Sequence, residues 1–375
     1  MRIFTSWGAR ALGVAGLGVA AGLVSAARGI PSAMGGRATG ERRARMEASP
    51  HFRDGKFHNE DLVWEPGTRS LAETAGKMIS GRADGVPGGS VPLVSQPSPV
   101  ALDGLHVTWF GHSSALLEVD GGSVLVDPVW SDRVSPSQQV GPKRLHANPV
   151  ELEDLPRIDA VVISHDHYDH LCVRTLKRLQ AHSAPQIVTG LRVGEVLARN
   201  GIGNVHELDW WDSVEVAPGV VVVFTPAKHF SGRSPLDLDR RLWGGLYVYA
   251  PAGGIYYAGD SVYCTHFRDI RERLGSPRVA LLPIGAFEPR WFMSPVHMDP
   301  AQAVQAHLDL GAVTSVAVHY GSFALADDEQ GQPERELTAA LRAQRVPQSR
   351  FRMLPHGDAV GLPRGVAELG VDAVA

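Results

Sequence analysis

A mixed fold of the α/β (α+β) class, two mixed sheets with helices packed outside them, is what this sequence predicts. Short apolar runs bounded by turn residues recur in both halves of the chain, and helix-period segments interrupt them in each half. That order fits neither a doubly wound parallel sheet nor an all-β barrel. A length of 375 residues at 44% hydrophobic content supplies core for one large domain with appendages.

The elements follow in order. "LHVTWF" (105–110), "SALLEV" (114–119) and "SVLVD" (123–127) are strand candidates separated by turn signals, and "AVVIS" (160–164) joins them in a first sheet. Leu171, Leu176 and Leu179 fall at helical spacing and predict a helix near 169–181. A strand "QIVT" and a helix through "RVGEVLARNG", closed by Gly201, come next. The second half offers strands at "VVVVFTP", "WGGLYVYA", "GIYYAGD", "VALLPI" and "TSVAVH", with helices near 263–274, 300–310 and 333–344. No short-period repeat is present.

Three segments are expected: a signal peptide or membrane anchor over 1–30, an N-terminal linker or arm over 31–100, and the main folded domain over 101–375. "ALGVAGLGVAAGLVSAA" at 11–27 carries no charge and follows Arg2 and Arg10, the pattern of an export signal or an anchor. "VSAA" suits a signal-peptidase site, whereas Arg28, Arg37, Arg42, Arg43 and Arg45 favour an uncleaved anchor. A membrane-associated or exported protein is expected, with the side of the membrane left open. The stretch at 85–99, "GVPGGSVPLVSQPSP", has the Gly, Pro and Ser content of a linker. A formal net charge of -4 offers no basic surplus for a phosphate backbone, so nucleic acid is not an expected partner. Cys172 and Cys264 cannot build a disulfide framework and read as small buried thiols without an activating partner.

The chemistry concentrates behind the strand at 160–164. "HDHYDH", residues 165–170, places three histidines and two aspartates within six positions on a strand-to-helix loop. Zinc takes imidazole nitrogen and carboxylate oxygen, and a catalytic site leaves a position open for water. His165 and His167 can point to one cation, while Asp169 and His170, displaced along the turn, can serve a second. His229, Asp260 and His319 each directly or nearly follow an apolar run and can supply the remaining ligands. A carboxylate such as Asp260 can bridge two cations roughly 3.5 to 4 Å apart. Singly, each strand-end histidine reads as an ordinary satisfied polar residue. The dense loop changes that, because burying so many imidazoles without a metal would leave several of them unsatisfied.

HxHxDH behind a hydrophobic strand, with later His, Asp and His at strand ends, resembles the metallo-β-lactamase superfamily. "VTWFGHSSALLEVDG", "LVDPVWSDRVSPSQQVGPKR", "IDAVVISHDHYDHL", "ELDWWD", "LWGGLYV", "YAGDSVYC", "PIGAFEPRWFM", "HMDPAQAVQAH" and "HYGSFALADD" together are similar to the N-acyl-phosphatidylethanolamine phospholipase D family, from roughly Leu105 to His356. The resemblance implies a four-layer αββα sandwich with two Zn2+ between the sheet edges, iron or manganese being alternatives. By motif position His165, His167 and His229 would hold one metal, Asp169, His170 and His319 the other, and Asp260 would bridge. Asp166 matches a non-ligand position and is expected to hydrogen-bond nearby. The implied reaction is hydrolysis of a phospholipid at a phosphodiester, by attack of a hydroxide bridging the metals, releasing N-acylethanolamine and phosphatidic acid. A membrane surface is an expected partner, and oligomeric state is not read from sequence.

Around the ligands, Asp169, Asp260 and His297 are the catalytic candidates, His297 through substrate binding or proton transfer. His112 and Asp127 end adjacent strand candidates; Asp127 can accept a hydrogen bond from a ligating imidazole, or either residue can cap a turn. His356 resembles a late family histidine near the substrate cavity, and has an equally good reading as a structural residue. Trp210, Trp211, Trp291 and Phe292 can line an acyl groove or be plain core, and Arg290 can meet a phosphate or form an ion pair. Val296, Ser294 and Pro295 replace a polar Gln and a Lys-Tyr pair of the family, and the N-terminal region matches only at "KFHN", 56–59. Alternative functions are a related hydrolase of a lactone or another phosphodiester, a β-lactam hydrolase, and a non-catalytic envelope protein with a structural metal.

Overall fold

The computed structural model describes residues 38–60, 93–94 and 104–363; the expected signal or anchor at 1–30 and most of the arm lie outside the described residues. An arm segment comes first, with helix α1 (Gly40–Ala48) and a hairpin of β1 (Phe52–Arg53) and β2 (Lys56–Phe57). Strands β3 (Gly104–Gly111), β4 (Ser114–Val119), β5 (Gly122–Val126), β6 (Ala160–Ile163), β7 (Gln186–Gly190) and β8 (Val205–Leu208) follow, with helices α2 (Val173–His182) and α3 (Gly194–Arg199) among them. The second half carries β9 (Ser213–Ala217), β10 (Val220–Thr225), β11 (Gly245–Ala250), β12 (Gly253–Tyr257), α4 (His266–Leu274), β13 (Val279–Pro283) and α5 (Arg290–Met293). It closes with α6 (Pro300–Leu310), β14 (Thr314–Val318), α7 (Gln332–Ala343), β15 (Phe351–Arg352) and β16 (Ala359–Pro363).

Two seven-stranded sheets result, in spatial order β16-β3-β4-β5-β6-β7-β8 and β15-β14-β13-β12-β11-β10-β9. Both mix parallel and antiparallel pairs, as expected from strands interrupted by helices. Period-two burial decides which face meets which partner. Val124, Val126 and Val162 point into a core shared with Phe224, Leu246 and Tyr257 of the other sheet. Their neighbours Leu125, Val161 and Ile163 point the other way, into a separate cluster with Leu176 and Leu179 of α2 and Val196 of α3. Burying both faces of a sheet is what makes its central strands continuously apolar.

Strand direction places the functional loops on one edge. β5, β6, β7 and β8 pair in parallel, and β3 runs with β5 because β4 pairs antiparallel to both. In the other sheet β12, β13 and β14 are parallel, and β10 shares their direction through the antiparallel β11. The C-terminal ends of β3, β5, β6, β10, β12 and β14 are followed by His112, Asp127, the 164–172 loop, His229, Asp260 and His319.

Helix boundaries follow local chemistry. α6 starts as expected because Pro300 opens it and Asp299 caps it, accepting from Gln302 N at 2.9 Å while the Gln302 side chain accepts from Asp299 N at 3.1 Å. The predicted helix at 169–181 begins only at Val173; the Asp169, His170 and Leu171 backbone stays in a turn, with His170 N and Leu171 N both donating to His167 O. α3 is shorter than "RVGEVLARNG", with Asn200 at its cap and Gly201 (φ 72°) just beyond. α4 starts at His266 rather than near 263. Among the described residues no helix is long and apolar enough to cross a membrane.

Candidate metal centre

Tautomers set by neighbours aim the imidazoles. Asp127, wholly buried, accepts from Ser164 N at 2.8 Å, from the Tyr257 hydroxyl at 2.6 Å and from His170 Nδ1 at 2.6 Å, and from the Ser164 hydroxyl as well. With Nδ1 donating to Asp127, His170 turns its Nε2 toward the site. Ser164 spends its own hydrogen on Asp127, so His165 Nδ1 donates to Ser164 Oγ at 2.9 Å and His165 also presents Nε2. His229 Nδ1 donates to Val296 O at 2.9 Å with the same consequence. His165 Nε2 and His229 Nε2 then lie 2.8 and 3.4 Å from His167 Nδ1, which can donate to only one of them. Three converging nitrogens with at most one hydrogen among them are a cation site by their own chemistry.

A second group stands beside the first. His112, Asp169, His170 and His319 have donor atoms within 4.8 Å of one another, as do His165, His167 and His229. Asp260 lies between the groups: its Oδ2 is 3.2 Å from both His170 Nε2 and His319 Nε2, 3.7 Å from His229 Nε2 and 3.9 Å from His165 Nε2. Buried and without a hydrogen bond are His170 Nε2, Asp260 Oδ1 and both ring nitrogens of His319. Polar atoms left so in a protein interior cost on the order of 1–3 kcal/mol each, and a pair of divalent cations would satisfy His170 Nε2, Asp260 Oδ1 and one nitrogen of His319. The donor set therefore fits two metals, and all seven residues expected as ligands converge on it.

The charge pattern splits the cluster in two. In the three-histidine group burial, then repulsion from neighbouring imidazoles, holds His165 well below its ordinary pKa; burial likewise lowers His167, and holds His229 well below its ordinary value against the pull of Asp260. The other group behaves oppositely. Burial opposes charge on His319, but Asp260 and Asp169 outweigh it and raise the pKa to about 9; His170 is raised well above its ordinary value against burial by Asp260, Asp169 and Asp127. Asp169 and Asp260 are held well below the usual carboxylate range by those same imidazoles, again against burial. Without metal, protons on the carboxylate side supply positive charge that a cation would replace.

Backbone and loop geometry support this arrangement. His112, Asp127 and His319 adopt φ of 50°, 36° and 62°, a left-handed region that L residues rarely occupy and that here turns each side chain sharply off its strand end. Gly259 (φ 60°) precedes Asp260 where a Cβ would stand 2.9 Å from Gly244 O and Ser164 Cβ. His112 Nε2 donates to Asp169 Oδ2 at 3.0 Å. Asp166 is not directed at the cluster; it accepts from Arg241 Nη1 at 2.6 Å and Gly232 N at 2.8 Å and so ties the histidine loop to the 230–241 loop.

The cluster opens into a cavity of about 720 Å³ whose walls include Phe57, Val134, Phe230, Leu238, Phe292 and Leu325, with His167, Asp169, His229, Asp260, His297 and His319 also lining it. His297 is buried, its Nδ1 has no hydrogen bond, and burial lowers its pKa to about 4, so it is neutral at pH 7.

Other expected residues fall elsewhere. His356 lines a separate cavity of about 290 Å³, stacked on Trp109 with centroids 4.5 Å apart and bonded to Ser322 Oγ at 3.3 Å. Arg290 forms an ion pair with Asp299 at 3.4 Å and donates to His297 O at 3.2 Å. Trp210 is core, donating to Trp243 O, and Trp211 lies under Arg273. Of that aromatic set only Phe292 lines the cavity, and Trp291 is 64% exposed. Cys172 is buried as expected, but Cys264 is only half-buried and has a partner, His266 Nδ1 at 2.7 Å.

Two residues escaped the sequence reading. Asn59, from the arm, donates to His229 O at 2.8 Å and accepts from His229 N at 3.2 Å and from Trp243 Nε1 at 3.1 Å. Its one signal was its place in "KFHN". Ser322 receives His112 N at 2.7 Å and contacts His146 Nε2 at 2.8 Å, bracing the histidine that holds Asp169.

Two mixed sheets with a histidine and carboxylate cluster on their shared edge define a metal-dependent hydrolase of the metallo-β-lactamase fold. The beta-lactamase superfamily domain matches residues 123–320, and the chain belongs to that superfamily. An uncharacterized protein of Mycobacterium tuberculosis is 41% identical over 345 residues, covering 90% of this chain and 91% of that protein. N-acyl-phosphatidylethanolamine-hydrolyzing phospholipase D 1 of Caenorhabditis elegans is 37% identical over 237 residues, 60% of this chain and 66% of its own length. Igni18, a metallo hydrolase from Ignicoccus hospitalis, has a TM-score of 0.53 at 24% identity, covering 69% of this chain and 98% of that one, a likeness of fold.

Proposed function

We propose that this chain hydrolyses a phosphodiester of a membrane lipid, with N-acyl-phosphatidylethanolamine as substrate and N-acylethanolamine and phosphatidic acid as products. The observation that carries the reading is the coincidence of a large, mainly apolar cavity with a cluster of metal-type donors at its floor. His165, His167 and His229 would hold one divalent cation, Asp169, His170 and His319 a second, with Asp260 shared; zinc is the metal proposed, iron or manganese the alternatives. When bound, such cations lower the pKa of water and neutralise charge developing on phosphoryl oxygens.

The chain's own residues supply the rest. Apolar walls exclude water from the floor and take acyl chain. Lys228, beside His229 on the cavity wall, contributes positive charge for a phosphate oxygen. His297, neutral at pH 7, can accept at Nδ1 the proton released by the attacking water and hand it to the oxygen of the departing alcohol. Association with a membrane surface and a place in the cell envelope go with this reading.

A second reading, a lactone or another phosphodiester, is favoured by Val296: its carbonyl orients His229 but its side chain is apolar where the family carries Gln. A panel of N-acylated phosphatidylethanolamine, plain phosphatidylethanolamine, bis(p-nitrophenyl) phosphate and a lactone separates them. Cleavage of the N-acylated lipid in preference to the plain one is the expected result. Lactone hydrolysis with neither lipid cleaved would overturn the lipid reading and leave the hydrolase class standing.

A further inference from the structure

Among the described residues six large apolar side chains are exposed, and three of them are not scattered. Leu236 (78% exposed), Trp291 (64%) and Val140 (56%) each sit one or two positions from a residue lining the 720 Å³ cavity, namely Leu238, Phe292 and Pro142. They come from three separate segments that follow β10, β13 and β5, strands whose C-terminal ends share the edge that carries the metal-type donors. Three separate segments therefore contribute lining to one cavity, and each exposes an apolar side chain one or two positions from its lining residue. Isolated exposed leucines need no explanation, but exposed apolar residues on three segments that all line one apolar cavity do.

We propose that Val140, Leu236 and Trp291 form a docking rim that seats the cavity mouth on a phospholipid bilayer. The proposal rests on the reading that the cavity receives a lipid. Position in the chain points to this occupant: Leu238 and Phe292, sequence neighbours of Leu236 and Trp291, line the same cavity as the donors, so acyl chains entering there would meet apolar wall. Charge points the same way. Lys143 and Arg240 are exposed on two of the same loops and form no ion pair among the described residues, whereas Asp237 and Asp239, the carboxylates flanking Leu238, are engaged by Arg241 and Lys56. An apolar rim with free cations around it matches acyl chains beneath phosphate headgroups. Trp291, amphipathic and solvent-facing, is the side chain type that settles at that boundary.

The test isolates the rim from any anchoring by the N-terminal segment. Full-length protein is mixed with vesicles of phosphatidylcholine and phosphatidylglycerol carrying brominated chains, and the emission of Trp291→Phe is subtracted from that of the wild type. The expected result is loss of most of this Trp291 emission with brominated lipid and none with unbrominated lipid, and loss of the quenching when Leu236→Glu and Val140→Glu are introduced together. An unchanged melting transition in that double variant shows that its fold is intact. Trp291 emission untouched by brominated lipid would overturn the proposal. So would a double variant that quenches like wild type, or one that changes only the oligomeric state, which would assign the rim to a second copy of the chain. Quenching requires no turnover: quenching without cleavage of the N-acylated lipid defeats the substrate reading alone, and cleavage without quenching defeats the rim alone.

Discussion

The floor of the cavity and its mouth are built on opposite principles. At the floor several donors are held by hydrogen bonds: Asp127 holds His170, the Val296 carbonyl holds His229 and His112 holds Asp169 from other segments, and Ser164 holds its neighbour His165. Leu236 and Val140 on loops and Trp291 on the short helix α5 instead stand in solvent. Preorganisation at the floor keeps the metal-type donors from rearranging when a cation binds, whereas a mouth that must meet a soft surface gains nothing from being locked. The difference teaches that the donor cluster and the exposed apolar residues can vary independently in this chain.

Substitutions can break that contrast in order of size. Asp127→Asn should cause the largest loss, because the amide cannot accept from Ser164, Tyr257 and His170 together; metal affinity, measured by competition with a chromophoric chelator, is expected to fall roughly 10- to 100-fold. If Asp127→Asn binds metal as well as wild type, the floor is not held as described. Asn59→Ala should act more mildly, removing both hydrogen bonds to the His229 backbone and costing roughly 1–3 kcal/mol of stability while both metals stay bound. Denaturant unfolding together with metal content would check this. The smallest effect at the floor should come from Leu236→Glu, which lies on an exposed loop and should leave metal affinity unchanged; a drop comparable to Asp127→Asn would erase the distinction between the two regions.

Legibility in the sequence followed the same divide. The metal-type donors were readable because their signal is local: three histidines and two aspartates in six positions, and single residues directly or nearly behind apolar strands. Asn59 was not, because it acts on the backbone of a residue 170 positions away and carries no periodicity of its own. Ser322 is similar, lying 210 positions from His112. Central strands were legible since both faces are buried, as in β6 and β14, and their runs are continuously apolar. β8, β9, β15 and β16 went unread: they are short or half-exposed strands at sheet edges, where one side meets solvent and the pattern fades. The helix predicted from Leu171 started late because Leu171 is buried from a turn, its spacing shared with α2 by coincidence of packing rather than by helical backbone.

Metal content of purified full-length chain, measured by mass spectrometry for wild type and for Asp260→Asn, bears most directly on the two-cation floor. Two equivalents of divalent transition metal in the wild type, falling with Asp260→Asn together with hydrolysis of bis(p-nitrophenyl) phosphate, is the predicted result. A wild-type chain that hydrolyses the diester with no transition metal bound, or an Asp260→Asn chain that keeps both metals and its full rate, would contradict it.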